Sequence, residues 1–378
     1  MPSIHNAIKY FLSALFISLP LYAQAEKITV KDVAGRTVTA NAPVERAMLA
    51  DSRVLIALNI LHPSEPLKGI VAWDNALEKK APDLATAYEK KFPQLRNIPV
   101  FPNPYTSDFS VEKAMTYSPD LVIFDIGLKS KLDSSNTINL LEKMGIPVIF
   151  IDFRQNPLSN TVPSMKLLGK VFKQEENANK FIQFYENRLS MINERIAALS
   201  PEQLPGIFIE RHAGMLGAED CCNTFATNNF GEFVAAAGGD NMGSKWFSGM
   251  GGKINEEQLL TSNPDYYLMT VADWDTVHSN SQSVPLGYTG DLATAEKRFQ
   301  KLLSRSKLKV LKSYREKRVM AIYHQYYDTP FNIIAVEAIA KWLHPNLFKD
   351  IDPHADNIYV HKTFTALDGS GVFWVTAK

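Results

Sequence analysis

Ser110-Val111-Glu112-Lys113-Ala114-Met115-Thr116-Tyr117-Ser118-Pro119-Asp120 and Asn255-Glu256-Glu257-Gln258-Leu259-Leu260-Thr261-Ser262-Asn263-Pro264-Asp265 are two versions of one pattern. Each opens on a residue suited to cap a helix. Each carries a glutamate two positions on, then a short helical stretch, then Pro-Asp and an apolar run. The spacing from glutamate to proline is the same in both. Such a pseudo-repeat predicts two lobes of similar build that face each other symmetrically.

Outward from the first version, apolar runs stand at Gly69-Ile70-Val71-Ala72, Leu121-Val122-Ile123-Phe124 and Val148-Ile149-Phe150-Ile151. Helix-like stretches, Val111 to Tyr117 and Ile138 to Met144, lie between them. A second set comprises Ile207-Phe208-Ile209, Tyr266-Tyr267-Leu268-Met269 and Val319-Met320-Ala321-Ile322-Tyr323. Short continuous apolar strands alternating with helices predict parallel sheets covered on both faces. Before the first set, Ile28 to Val38 reads as a strand and hairpin. Between the sets, Phe181, Phe184, Tyr185, Leu189, Ile192, Ile196 and Leu199 recur at helical spacing. That helix would be on the order of 35 Å long. Ser200-Pro201 and Leu204-Pro205 then break it. The fold class expected is therefore α/β, with two Rossmann-like α/β lobes joined by a single long helix and a ligand cleft between them. The N-terminal lobe spans 26–160, the linking helical segment 161–200 and the C-terminal lobe 201–378. Open α/β sheets bind ligands beyond the carboxyl ends of their strands, and two such edges facing across a cleft make a clamp.

The chain has 378 residues, 46% hydrophobic and 21% charged, enough for two lobes with real cores. Forty basic side chains balance forty acidic ones, which argues against a nucleic-acid partner. Residues 1–25 differ from the rest. Lys9 is their single charge, an apolar run follows from Tyr10 to Leu19, and Ala23-Gln24-Ala25 ends them. The run is about half of the ~20 residues that span a bilayer. It reads as a cleaved signal peptide, with a retained N-terminal anchor as the alternative. No cysteine near Ala25 offers a lipid attachment point, so a soluble periplasmic protein is expected. The two cysteines, Cys221 and Cys222, are adjacent. They form either a strained vicinal disulfide or a pair of buried small residues.

These features resemble the class III periplasmic substrate-binding proteins of ABC importers, which bind ferric siderophores, haem and vitamin B12. The resemblance is carried by Ile28-Thr29-Val30-Lys31-Asp32-Val33-Ala34-Gly35-Arg36, the Ser-Pro-Asp and Asn-Pro-Asp strand starts, and Gly145-Ile146-Pro147-Val148. It continues through Ala237-Gly238-Gly239-Asp240-Asn241 and Glu257-Gln258-Leu259-Leu260. The tail from Phe331-Asn332 through Ala340-Lys341-Trp342-Leu343-His344-Pro345 to Asp350-Ile351-Asp352-Pro353 is similar to the iron-complex branch. The resemblance implies a binding protein rather than an enzyme. It would act as a monomer that captures an iron chelate, a ferric siderophore, and delivers it to an inner-membrane permease, with no resident cofactor. Haem or a corrinoid are alternatives within the family. A chelatase or nitrogenase-like enzyme on the same architecture, or a membrane-associated interaction protein, are alternatives outside it. The resemblance also implies that Glu112 and Glu257 dock onto arginine pockets of the permease. Carboxylates in a first helical turn also meet the helix dipole whether or not a partner exists.

Residues just past the strand ends are the candidate ligand contacts: Trp73, Tyr105 and Arg154 in the first lobe; Arg211, His212, Trp246, Trp274 and Tyr326 in the second. Asp51, Asp125, His324 and Tyr327 stand at similar positions. Aromatic faces suit a large, partly apolar chelate, and the arginine fork suits an anionic one. His212 and Tyr326 raise direct metal ligation, but no local spacing makes a metal site, and none is expected. Residues 274–292 read as a polar surface loop beside the cleft, with Tyr288 reaching either ligand or solvent. Ser248 to Lys253 resembles a phosphate loop only superficially, because the first glycine is absent and Ile254 replaces Ser or Thr. No GxSxG elbow is present.

Overall fold

The computed structural model describes residues 26–378. The expected signal peptide, 1–25, lies outside the described residues. The chain opens with an antiparallel hairpin of β1 (Glu26–Lys31) and β2 (Thr37–Ala42), with Val30 opposite Val38. The first lobe follows: β3 (Ala47–Leu49), β4 (Ile70–Asp74), β5 (Val100–Phe101), β6 (Leu121–Asp125) and β7 (Val148–Ile151). They form one parallel sheet in the order β5-β4-β3-β6-β7. In the second lobe come β8 (Gly206–Glu210), β9 (Asn223–Thr224), β10 (Asp240–Asn241), β11 (Gly252–Lys253), β12 (Tyr266–Val271), β13 (Val319–Tyr323) and β14 (Trp374–Thr376). Their main sheet has the order β10-β8-β12-β13-β14, parallel except for β14.

The repeat has a physical reason in each lobe. Ser110 Oγ accepts the Lys113 amide at 3.1 Å, and Asn255 Oδ1 accepts the Gln258 amide at 2.7 Å. Each cap starts a short helix, Val111–Thr116 and Glu256–Ser262. The residue before each proline, Ser118 or Asn263, then turns with positive φ. The Pro-Asp carboxylates come next. Asp120 accepts the amides of Glu45 and Arg46 just before β3, and Asp265 accepts that of Gly206 at the start of β8. In both lobes this aspartate satisfies backbone donors at the neighbouring strand's start.

β6, β7 and β13 are buried along their whole length, as strands covered on both faces must be. One core cluster runs through both lobes by way of the Glu175–Ile196 helix, which buries Phe181, Ile182, Tyr185 and Ile192. At 22 residues that helix is about 33 Å long. A second cluster fills the other face of the first sheet. The linking region holds two helices, because Pro157–Val171 precedes the long one and packs against it.

The 274–292 stretch departs from the expected surface loop. Trp274, Val284 and Leu286 are buried. The Tyr288 ring packs on Tyr323 and Phe373, and its hydroxyl bonds His361 Nε2 at 2.9 Å. The polar residues of this stretch are punctuated by enough apolar ones to anchor it.

Candidate functional site

Every element of the cleft follows the carboxyl end of a parallel strand, where loops leave the sheet. Arg53 lies in the turn after β3, Lys79 and Lys80 in the Ala76–Lys80 helix after β4, Asn103 and Tyr105 after β5, and Arg154 after β7. From the second lobe come Arg211 and His212 after β8, Trp274 and His278 after β12, and His324, Gln325 and Tyr327 after β13. They line one cavity of about 240 Å³.

The cavity is cationic. Five basic side chains line it, Arg53, Lys79, Lys80, Arg154 and Arg211, and among the described residues no carboxylate does. Carboxylates lie beneath instead. Asp51 grips Arg53 with Oδ1 3.0 Å from Nε and Oδ2 2.6 Å from Nη2. Burial pushes Asp51 up, but the Arg53 charge and hydrogen bonds outweigh it and hold the carboxyl below its ordinary value. Asp328, from the opposite lobe, sits 2.7 Å from Arg53 Nη2, but Oδ2 makes no aligned hydrogen bond. Burial therefore wins there and drives the Asp328 carboxyl well up, with Arg53 only opposing. Burial likewise takes Asp125 to about 6 against the pull of Arg154.

Arg154 stacks over Tyr105 with its guanidinium carbon 4.4 Å from the ring centroid, and lies 5.5 Å from that of Tyr327 across the cleft. Neither Arg154 nor Arg211 makes an ion pair with a described residue, and the buried Nε of each has no partner. The Arg211 guanidinium lies 4.8 Å over Phe225, and burial lowers it from the ordinary arginine value.

Beside Arg211, the second lobe's wall is aromatic. His212 Nε2 lies 3.0 Å from His324 Nε2, and His324 Nδ1 3.0 Å from Thr270 Oγ1. Burial, with Arg211 nearby, lowers His212 to about 3, and burial drives His324 far below its usual value. Both rings are uncharged at neutral pH. Trp274 meets both edge-on at 5.5 Å. Among the described residues no cluster of three or more His, Cys, Asp or Glu is placed to hold a metal ion.

Of the candidate contacts, Tyr105, Arg154, Arg211, His212 and Trp274 meet at this cavity, together with His324 and Tyr327. Three do not. Trp73 lies within β4, one residue before its end, and its ring is in the core at 3% exposure. Trp246 ends a four-residue helix and packs against Phe208. Tyr326 shares a tight 3-10 turn with its neighbours, but its hydroxyl points away to Asn357 Oδ1 at 2.8 Å. Asp51 and Asp125 are supports beneath the surface. Arg53, Lys79, Lys80, Asn103, His278 and Gln325 escaped the sequence reading.

The lobes are tied together around the cavity. Asp83 Oδ2 of the first lobe accepts the Tyr323 hydroxyl at 2.7 Å and the Tyr288 amide at 3.0 Å from the second. Asn229 Nδ2 donates to the Arg154 carbonyl at 2.6 Å. Gln325 Nε2 donates to the Lys80 carbonyl at 2.5 Å. These bonds hold the two lobes together at the cleft.

These buried carboxylates make stability depend on pH. Burial raises Asp83 to about 6 and, with the nearby Asp51 charge, Asp74 to about 7. In the unfolded chain an aspartate titrates near ~3.9. Between those values the folded chain holds protons that the unfolded chain has lost, so stability falls as pH rises. His212 and His324, kept neutral by burial, act in the opposite direction, so the carboxylate share is read by difference: the stability of Asp83→Asn relative to the native chain should rise from pH 4.5 to pH 7.5. An unchanged slope in the variant would remove Asp83 from this account.

Two parallel α/β lobes with a cleft at their strand ends have the build of a two-lobed solute-binding protein. Residues 69–326 match the family described as periplasmic binding protein, and the chain belongs to that family. Its architecture is that of the class III members, solute-binding proteins of ABC transporters. FepB of Veillonella parvula, a TroA-like periplasmic binding protein, is similar with a TM-score of 0.85 and 26% identity, over 93% of this chain and 100% of that one. MolA of Haemophilus influenzae, bound to molybdate, gives 0.68 and 15% over 91% and 99%. The siderophore-binding protein BauB, bound to two acinetobactin molecules and ferric iron, gives 0.57 and 18% over 84% and 99%. The latter two share the fold. No curated protein matches the chain.

Proposed function

We propose that this chain is the exported substrate-binding component of an ABC importer, working as a monomer in the periplasm, and that its cargo is an anionic iron chelate of the ferric siderophore class. Its lobes are taken as 26–160 and 201–378, with 161–200 between them. The observation that carries the reading is the cleft with five basic side chains and no lining carboxylate. Asp51 offsets Arg53, and Arg154 and Arg211 make no ion pair with a described residue, which leaves these two, with Lys79 and Lys80, to meet ligand charge. The stacked faces of Tyr105, Tyr327 and Trp274 suit the aromatic or apolar arms of a chelator. The fold shared with BauB, which holds acinetobactin and ferric iron, is compatible with that cargo.

A cavity of about 240 Å³ is below the ~300–1,000 Å³ of common ligand pockets. A chelate would therefore seat its anionic face inside, with the rest toward the rim, where Lys79 and Lys80 are exposed. This volume ranks haem and a corrinoid with a ferric siderophore, since each would overhang the rim. It favours one second reading, a compact oxyanion, and the fold shared with molybdate-bound MolA is compatible with that.

Glu112 and Glu257 are exposed and make no ion pair with a described residue, each in the first turn of a capped helix at matching places in the two lobes. They suit docking onto a basic, two-fold permease surface. Replacing both by alanine should abolish chelate uptake in cells and leave affinity in solution within about twofold; a large affinity loss would sink the docking role. Export is tested by intact mass. The secreted protein should begin at Glu26, and a chain still starting at Met1 would count against it.

A further inference from the structure

Cys221 and Cys222 are joined by a disulfide, ten residues after Arg211. Cys222 is fully buried in the core and Cys221 packs against it. The residues that follow are the ones Arg211 relies on. The Asn223 carbonyl accepts the Arg211 amide at 2.8 Å. The Phe225 ring lies beneath the guanidinium. Asn223 and Thr224 form β9, paired with β11. The Cys222 carbonyl accepts the Ile254 amide at 3.2 Å, just past β11. Ahead of the pair, Asp220 meets Lys253 at 3.3 Å. Arg211 has no carboxylate among the described residues to aim it, so segment 223–225 and the end of β8 set its direction.

A side chain that binds ligand gains from being held before the ligand arrives, and the neighbours that hold it share in the effect. We propose that the Cys221–Cys222 disulfide is a positioning element for Arg211. By anchoring Cys222 in the core and restricting the chain ahead of Asn223, it keeps the Asn223 carbonyl and the Phe225 ring where they direct the guanidinium into the cleft. The inference rests on the cleft being the ligand site, and the first arm of its test needs no ligand.

That arm is amide hydrogen exchange on the full mature chain, oxidised and after reduction with a phosphine. A Cys221→Ser/Cys222→Ser variant is run beside them. The Arg211 amide should exchange at least tenfold faster once the disulfide is absent, with Ile207 and Ile209 on the same strand unchanged. No change at Arg211, or an equal rise along all of β8, would overturn the proposal. The second arm is a cycle of affinities for the ferric complex of 2,3-dihydroxybenzoate. The serine pair should weaken binding about fivefold or more in the native background and cause no further loss in an Arg211→Ala background. Equal losses in both backgrounds would reduce the disulfide to general stability and overturn its positioning role. A native chain that ignores this chelate would remove catecholates from the cargo reading, and the exchange result then decides the positioning role by itself.

Discussion

Replacing Arg211 by alanine should weaken binding of a multiply anionic ferric chelate by about ten- to a hundredfold. The range follows from the ~1.5–3 kcal/mol typical of a hydrogen bond to a charged group, at ~1.4 kcal/mol per decade of affinity. Arg211 makes no ion pair with a described residue, and its buried Nε has no acceptor, so its charge is available to the ligand. An uncharged hydroxamate chelate of similar size should lose much less. Titration calorimetry on both ligands decides it; equal losses would mean that Arg211 acts through packing on Phe225 rather than through charge. The folded chain should be little affected, since no hydrogen bond of the Arg211 side chain is given up.

The largest stability effect is expected at Arg53. This guanidinium is 3% exposed and sits between Asp51 and Asp328, carboxylates from opposite lobes. A buried ion pair adds little net stability over apolar packing, but removing one partner leaves uncompensated buried charge and costs about 3–5 kcal/mol. Arg53→Met should therefore destabilise the chain by that amount at pH 7.5. Without Arg53, burial is opposed at both carboxyls mainly by the Arg154 charge, so their folded-state values rise. The penalty is then greatest above those values and fades as pH falls and they take up protons. Denaturant unfolding of the variant at pH 7.5 and pH 5 should show the deficit shrink toward acid. A constant deficit would mean lost packing against Tyr327, whose ring lies 5.3 Å from the Arg53 carbon, outweighs the charge effect.

Most of the fold could be read from the chain because parallel strands buried on both faces are unbroken apolar runs, as at Leu121–Asp125 and Val319–Tyr323. β3 is only three residues long, although it is the central strand of the first sheet. Position past its end pointed to Asp51 but not to Arg53, which stands four residues beyond it. Lys79 and Lys80 were hidden differently. They occupy the last turn of a helix, where lysines are also expected for the dipole. Arg154 and Arg211 could be found because each follows a plainly apolar strand. Trp73 and Tyr326 show the limit of that rule. Position past a strand fixes a residue's neighbourhood, but alternation along a strand, or a tight turn, decides which side its ring takes. The ties from Asp83 to Tyr288 and Tyr323 join residues more than two hundred positions apart, and no local pattern announces them.

The measurement that tests the central claim most directly is quenching of intrinsic tryptophan fluorescence in the mature chain, with Trp274 in the cleft wall as reporter. The panel holds catecholate, hydroxamate and carboxylate ferric siderophores, with haem, cobalamin and molybdate beside them. The expected result is saturable, tight quenching by an anionic ferric chelate, weakened by salt and by Arg211→Ala. Tight binding of haem, cobalamin or molybdate with no response to any ferric siderophore would contradict the account and replace its cargo.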